Sequence, residues 1–319
     1  ADYDADTDAS IALNMQGVET FTMDLADSAV ELVADMSKVT GLTTLKVTDA
    51  SSEKLELAKL AEGVTVEVSA DAATATEVEI KRATVTGTES QDVVVKALGA
   101  DDGVKIIMAD VETLNVKADS ANQVDLELSG VSMTAADARA TVNFTGANDI
   151  ELVSLNADVT TIDASGMSSG GSVIQTGRSA TEASNYTGSA GADTFIMMHN
   201  NDVMAAGAGA DTLDINTTNV LGGAVIDLSA TDVVVSANGS LNAAVQSGFT
   251  NVDLAGYAGG FGAVVTAHKD GSTITGTGAT DQITGGAGDD TIKVATAGAG
   301  NNDVVDGGAG TGDTIHFAA

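Results

Sequence analysis

Apolar and polar residues alternate along most of the chain in short runs. "VETFTMDL" from Val18, "LTTLKVT" from Leu42, "VTVEVSA" from Val64, "VETLNVKA" from Val111, "VDLELSG" from Val124 and "VTTIDAS" from Val159 alternate or are rich in β-branched residues. Gly, Asp, Asn or Ser separates them, as expected of strands bounded by turns. Residues 215–275 continue in this way with fewer charges, through "AVIDLSA" from Ala224, "DVVVSA" from Asp232, "NVDLAG" from Asn251 and "AVVTA" from Ala263. "SSEKLELAKLAEG" from Ser51 is open to two readings, a helix stopped by Gly63 or a strand "KLEL" followed by a turn. Its neighbours favour the strand. Val-Glu-Thr at Val18 and again at Val111 opens an alternating run each time, a hint of degenerate repetition without a fixed period.

Composition sharpens this all-β reading. The 319 residues are 43% hydrophobic, enough to bury a core, but only 3% aromatic. Val, Ile, Leu, Ala and Thr must therefore fill the interior, which suits a thin, repetitive β core better than a thick globule. With no Pro, every backbone N–H can donate to a ladder. The length allows one to three domains.

Charge and cysteine count remove whole classes of function. Against 46 Asp+Glu stand 13 Lys+Arg, a net charge of −33. Such a surface repels phosphate backbones and anionic lipid heads, so nucleic-acid and membrane-surface partners are excluded, and it attracts hard divalent cations. Without Cys there is no disulfide frame, zinc–thiolate site or iron–sulfur site. No run approaches the 18 apolar residues that a membrane-spanning helix needs, and no charged-then-apolar signal opens the sequence. A chain that starts at Ala1 rather than Met reads as a fragment or a processed product.

The acids change character near residue 185. All 13 Glu lie at or before Glu182, whereas 14 of 33 Asp follow it, with 24 of the 36 Gly. Asp holds its carboxylate close to the backbone and Gly permits tight turns. The expected division is a strand-rich solenoid over 1–185 and a Gly/Asp-rich solenoid over 186–319.

Within the second part a nine-residue rhythm emerges. "GSAGADTFI" from Gly188, "MMHNNDVMA" from Met197 and "AGAGADTLD" from Ala206 place Asp193, Asp202 and Asp211 nine apart. An apolar residue follows two positions later each time: Phe195, Met204 and Leu213. A second block has Asp281 and Asp290, then Asp303 and Asp313, preceding Ile283, Ile292, Val305 and Ile315. "GGAGDDTIK" from Gly285 is the most complete copy, and "GAGNNDVVD" from Gly298 and "GGAGTGDTIHF" from Gly307 follow it. Six residues make a turn and three a short strand, so two nonapeptides make a coil. Asp193 and Asp211 then stack on one edge with Asp202 opposite, one strand spacing of about 4.8 Å between coils. Carboxylates that close repel unless a cation lies between them. The steps from Asp281 to Asp303 and from Asp290 to Asp313 are both longer than two nonapeptides. Each edge therefore carries a bulged loop, Thr311-Gly312 being one visible insertion.

The rhythm resembles the G-G-x-G-x-D-x-U-x nonapeptide of the RTX (repeats-in-toxin) calcium-binding family, over about a fifth of the chain. The resemblance implies a parallel β-solenoid or β-helix with calcium β-roll turns in two blocks, about 188–214 and 276–317. It implies four to six calcium ions held by backbone carbonyls and carboxylates. The matching positions are Gly188, Ala190, Ala192, Asp193, Asp202, Gly207, Gly209 and Asp211 in the first block. In the second they are Asp281, Gly285, Ala287, Asp289, Asp290, Gly298, Gly300, Asp303, Gly307, Ala309 and Asp313. The Met197 copy has no glycine and the Gly188 and Ala206 copies each lack one. Beyond the nonapeptides, the strand runs and Ala/Thr/Asp-rich turns resemble RTX-containing bacterial surface-layer (S-layer) proteins. That likeness implies a secreted, calcium-dependent structural protein of the cell surface, exported by type I secretion and self-assembling into a lattice or homo-oligomer. It also implies contact with cell-surface polysaccharide through parts outside this sequence. Two alternatives remain: the calcium-binding C-terminal module of a secreted enzyme or toxin, and a segment of an RTX adhesin.

The remaining motifs carry no chemistry of their own. "GMSSG" from Gly166 has the form of a nucleophile elbow around Ser168, but its flanks are Ser/Gly-rich loop rather than strand and helix. His199, His268 and His316 form no H-E-x-x-H, so an enzyme is not expected. The glycine-rich runs lack the Lys-Ser/Thr ending or strand–helix context of a phosphate cradle. "ADYDADTD" offers Asp2, Asp4, Asp6 and Asp8 either as a solvated terminus or as one more cation site.

Overall fold

The computed structural model describes residues 9–25, 31–49, 54–70, 75–84, 89–99, 102–120, 122–133, 139–168, 170–177, 183–216, 222–237, 239–258, 260–295 and 302–318. The regular elements among them are all strands, and no helix is long and apolar enough to cross a membrane. The chain divides into two compact units, Ala1–Ser179 and Ala180–Ala319.

In the first unit, consecutive strands alternate between two parallel sheets. One holds, in spatial order, Ala9–Gln16, Leu32–Thr40, Lys54–Leu60, Thr76–Arg82, Gly103–Ala109, Val124–Ser132, Ile150–Leu155 and Val173–Gln175. The other holds Thr20–Asp24, Thr44–Asp49, Thr65–Ala70, Ser90–Ala97, Thr113–Ala118, Ala140–Gly146 and Val159–Met167. Each strand pairs with the next but one in sequence, so the chain winds as a coil. This is a parallel β-solenoid.

The period-two pattern explains the packing. Leu45 and Val47, Val66 and Val68, Val93 and Val95, Leu114 and Val116, and Val142 and Phe144 are buried rung upon rung. Each such side chain contributes about 1.5–3 kcal/mol on burial. Thr, Lys, Glu and Asn occupy the alternate positions. The register also shows why no period is visible in the sequence, because coil length varies from one rung to the next. The register partners Lys46 and Glu67 are separated by 21 positions, Asp92 and Asn115 by 23, and Asn115 and Asn143 by 28. Turns absorb the difference while the rungs stay constant. The ambiguous segment at Ser51 contains the strand Lys54–Leu60, with a bulge between Leu57 and Leu60 where Lys59 takes φ 60°.

In the second unit the coils tighten. Thr212 pairs with Thr194 and Val203 with Asn185, a winding of two nonapeptides in both cases. Strands Thr194–Met197, Thr212–Ile215, Asn251–Asp253, Thr273–Thr275, Thr291–Ala295 and Thr314–Ala318 line up in one sheet. Asn185–Thr187, Val203–Ala205 and Gln246–Ser247 line up in a second. A third has the order Val234–Ser236, Ala224–Asp227, Ala263–Thr266, Gln282–Thr284 and Val304–Asp306, its first pair antiparallel. The long step from Thr212 to its partner Asn251 marks where the tight winding is interrupted. Winding by two nonapeptides resumes from Thr273 to Thr291 and widens again from Thr291 to Thr314. Phe195, Met204, Leu213, Ile283 and Ile292 point inward as the rhythm predicts, whereas Ile315, in the last strand of its sheet, is 44% exposed. Tyr186 meets Phe195 with ring centroids 5.3 Å apart.

Candidate metal centre

An aspartate precedes each of the strands Thr194–Met197, Val203–Ala205, Thr212–Ile215, Gln282–Thr284 and Thr291–Ala295, and its carboxylate sits inside the turn. Asp193, Asp202, Asp211, Asp281 and Asp290 are at most 1% exposed, which is exceptional for a charged residue. The stacking across coils is direct. The backbone N–H of Asp193 donates to Asp211 Oδ1 at 2.8 Å, that of Asp281 to Asp303 Oδ1 at 2.9 Å, and that of Asp290 to Asp313 Oδ1 at 2.9 Å. Asp202 stands before the second-sheet strand Val203–Ala205, whereas Asp193 and Asp211 precede first-sheet strands.

Most of these carboxylates also clasp their own turn. Asp193 Oδ2 accepts the N–H of Ser189 at 2.6 Å, Asp281 Oδ2 that of Thr277 at 2.8 Å, and Asp290 Oδ2 that of Gly286 at 2.7 Å. The donor lies four residues before the aspartate each time. Met198 N–H follows the same rule at Asp202 Oδ2, at 3.0 Å. The other oxygen reaches to the preceding coil: Asp202, Asp281 and Asp290 accept from the N–H of Ser184, Ala263 and Ser272. Spacing revealed the stacking of these aspartates but not the clasp. No residue type four positions upstream marks it, since Met198 clasps Asp202 and Gly207 does not clasp Asp211. Ser272 continues the pattern one coil before Asp290, its hydroxyl accepting His268 N–H at 2.8 Å.

Asp211 departs from the rule. Its Oδ2 is buried with no hydrogen-bond partner. The residue four before it is Gly207, in a turn where Gly207 and Gly209 take φ +97° and +142°, a backbone that side-chain-bearing residues rarely adopt. Burial pushes the Asp211 carboxyl up to about 6; the Asp193 N–H works against that rise and the Asp193 charge adds to it. Asp281 is likewise raised by burial, with Asp303 adding to the rise against hydrogen bonds from Thr277 and Ala263. Like-charge stress between stacked carboxylates is therefore present in both blocks.

Two of the motif glycines are required by crowding rather than by φ. A Cβ on Gly188 would strike the Ala206 carbonyl and lie 2.8 Å from Asp193 Oδ2. On Gly285 it would strike the Gly307 carbonyl and lie 2.8 Å from Asp290 Oδ2. Backbone oxygens and carboxylates are thus packed against one another in the turns.

These donors suit a hard cation, which takes six to eight oxygens from carboxylates and carbonyls. The best fit is the turn of Asp211, whose buried oxygen lacks a partner. Elsewhere each carboxylate retains lone pairs beyond those its N–H donors occupy. Ala190, Ala192, Ala287 and Ala309 are turn positions with no side-chain donor. Asp289 is a turn residue as well, and its Oδ1 accepts from Thr311 and Gly312 at 3.2 and 2.8 Å, so it holds the inserted dipeptide. Gly298, Gly300, Asp2, Asp4, Asp6 and Asp8 lie outside the described residues. Ser168 donates its hydroxyl to the Gly146 carbonyl at 3.1 Å, a stitch between coils. His199 and His268 accept through Nδ1 from the N–H of Asn201 and Asp270.

The first unit treats its acids differently. Among the described residues, one group of three acids brings its oxygens within 4.8 Å, Glu31, Glu56 and Glu79 on adjacent coils. Lysines already occupy it. Lys54 Nζ lies 2.9 Å from Glu31 and 2.6 Å from Glu79, and Lys81 Nζ 2.6 Å from Glu56. Glu67 lies between Lys46 at 3.2 Å and Lys96 at 2.9 Å, and Lys105 lies 2.7 Å from Glu77. Burial works to raise Glu67 and Glu79, but their lysine hydrogen bonds prevail and both are lowered. Composition counted these charges without showing that they form rungs.

No protein-family model, curated protein or solved structure matches the chain, so its likeness to RTX proteins rests on the nonapeptide spacing.

Proposed function

We propose that the chain is a calcium-stabilised structural β-solenoid of the bacterial cell surface, secreted and assembling with its own kind into an S-layer lattice. The observation that carries the calcium reading is the buried, unpartnered Oδ2 of Asp211, next in the stack to Asp193. Asp193, Asp211, Asp281, Asp290, Asp303 and Asp313 would hold the ions together with carbonyls of the glycine-rich turns. Calcium supplies positive charge where stacked carboxylates repel, and so holds successive turns together. In calcium-poor cytosol these turns would stay open for export. Outside, at millimolar calcium and a Kd of roughly 0.1 mM, each ion adds about 1.4 kcal/mol. Four to six of them decide whether marginal coils fold. Lattice formation draws support from the family resemblance and from the need to screen a net charge of −33 between copies.

Thermal melting with about 2 mM calcium, well above the assumed Kd, or with EGTA, paired with electron microscopy of both samples, tests the reading. A calcium-raised Tm and two-dimensional sheets are expected. An unchanged Tm overturns the calcium role, and permanent monomers in calcium overturn the lattice.

A further inference from the structure

The two units neutralise their acids by different means, and the difference has a consequence for folding. The first unit holds 11 of the 13 cationic residues, and the second holds Lys269 and Lys293. In the first, lysines bridge coils through the acids described above. Amides do the same elsewhere: Asn115 Nδ2 donates to Asp92 Oδ1 at 2.8 Å, Asn143 Nδ2 to Asn115 Oδ1 at 2.9 Å, and Gln123 Nε2 to Glu151 Oε2 at 2.8 Å. Glu67, Glu77 and Glu79 stand half-buried with a covalently attached partner at hand, although Glu89 and Asp102 are buried. The second unit buries five carboxylates in its turns, those of Asp193, Asp202, Asp211, Asp281 and Asp290, and Lys269 pairs there with the exposed Asp270. On its outer face Asp214 stands beside its register partner Asp253.

We infer that the units respond to calcium independently: the first, cross-linked by built-in lysine and amide rungs, keeps its fold without a divalent cation, and the second opens when calcium is withdrawn. This rests on the calcium reading above and adds to it a boundary for the calcium response. A chain so built presents, in low calcium, one folded and one threadable half. The first unit's rungs are charge pairs near water, so their sensitivity is to salt, where the Debye length falls to about 3 Å at 1 M.

Hydrogen–deuterium exchange with mass spectrometry on the full chain, in about 2 mM CaCl2 and in EGTA, reads the two halves separately. Expected in EGTA are unchanged peptides from 32–167 and at least tenfold faster exchange from 184–215 and 263–318. Loss of protection in both halves together would overturn independence while leaving the calcium role standing. Loss in the first half alone would also overturn it. No change anywhere would overturn this inference and the calcium reading alike. A Lys54→Gln/Lys81→Gln variant supplies the converse arm: faster exchange confined to 32–84, of the same size with and without calcium. Rescue of that variant by calcium would count against the inference.

Discussion

Replacing Asp211 by Asn isolates the buried charge. Raising the carboxyl from 3.8 to about 6 corresponds to about 3 kcal/mol at 1.36 kcal/mol per unit, an upper value for this group. The folded state binds the proton more tightly than the unfolded chain. The resulting stability is complete below the ordinary carboxyl pKa and is lost as pH rises through about 6. Between pH 5 and pH 8, in EGTA, that loss amounts to about 1.4 kcal/mol for Asp211. Asn keeps an oxygen for the Asp193 N–H and carries no charge. Its unpartnered NH2 costs about 1–3 kcal/mol, but equally at both pH values. The wild-type-minus-variant difference in Tm should therefore fall by about 3–6 °C from pH 5 to pH 8, at about 2–4 °C per kcal/mol. Asp214, also raised to about 6 by burial and by Asp253, is common to both proteins and cancels. In about 2 mM calcium at pH 8 the difference shifts back in favour of wild type, because wild type gains an ion that the variant holds poorly. Differential scanning fluorimetry over this pH range suffices. A difference independent of pH would refute the claim that Asp211 carries a strained buried charge.

Gly285→Ala should destabilise the second unit by more than about 2 kcal/mol in urea titrations, because its Cβ meets the Gly307 carbonyl and Asp290. Gly278→Ala, with nothing within 4 Å, should stay within about 0.5 kcal/mol. Lys54→Gln should cost the first unit about 1 kcal/mol at low ionic strength and much less in about 1 M NaCl, by the same titration. The Glu79 contribution has the opposite pH sign to that of Asp211: its pKa is lowered, so stability is present above the ordinary Glu value and fades as pH falls through the folded one. Phe144→Ala, wholly buried between rungs, should cost about 3–5 kcal/mol and move the first unit's chemical midpoint alone.

Alternation and the Asp rhythm made much of this molecule legible before any coordinates. Period-two runs such as "LTTLKVT" and "VTVEVSA" dictate strands with one buried face, since a one-residue slip would expose Leu45 and Val66. The nine-residue spacing of Asp193, Asp202 and Asp211 dictates a coil of two nonapeptides, and the register from Thr194 to Thr212 has that length. The varied coil lengths of the first unit stayed hidden because turns tolerate insertion while rungs do not. Sequence spacing is also silent about which atoms a carboxylate meets. Only the tertiary structure distinguished Asp290, clasped by Gly286 and Ser272, from Asp211, which has an oxygen left over. It alone paired Glu79 with Lys54 from the preceding coil. The physical reason is the same throughout: local pattern fixes which face of a strand is apolar, but electrostatic partners are chosen across coils, at distances set by winding rather than by sequence.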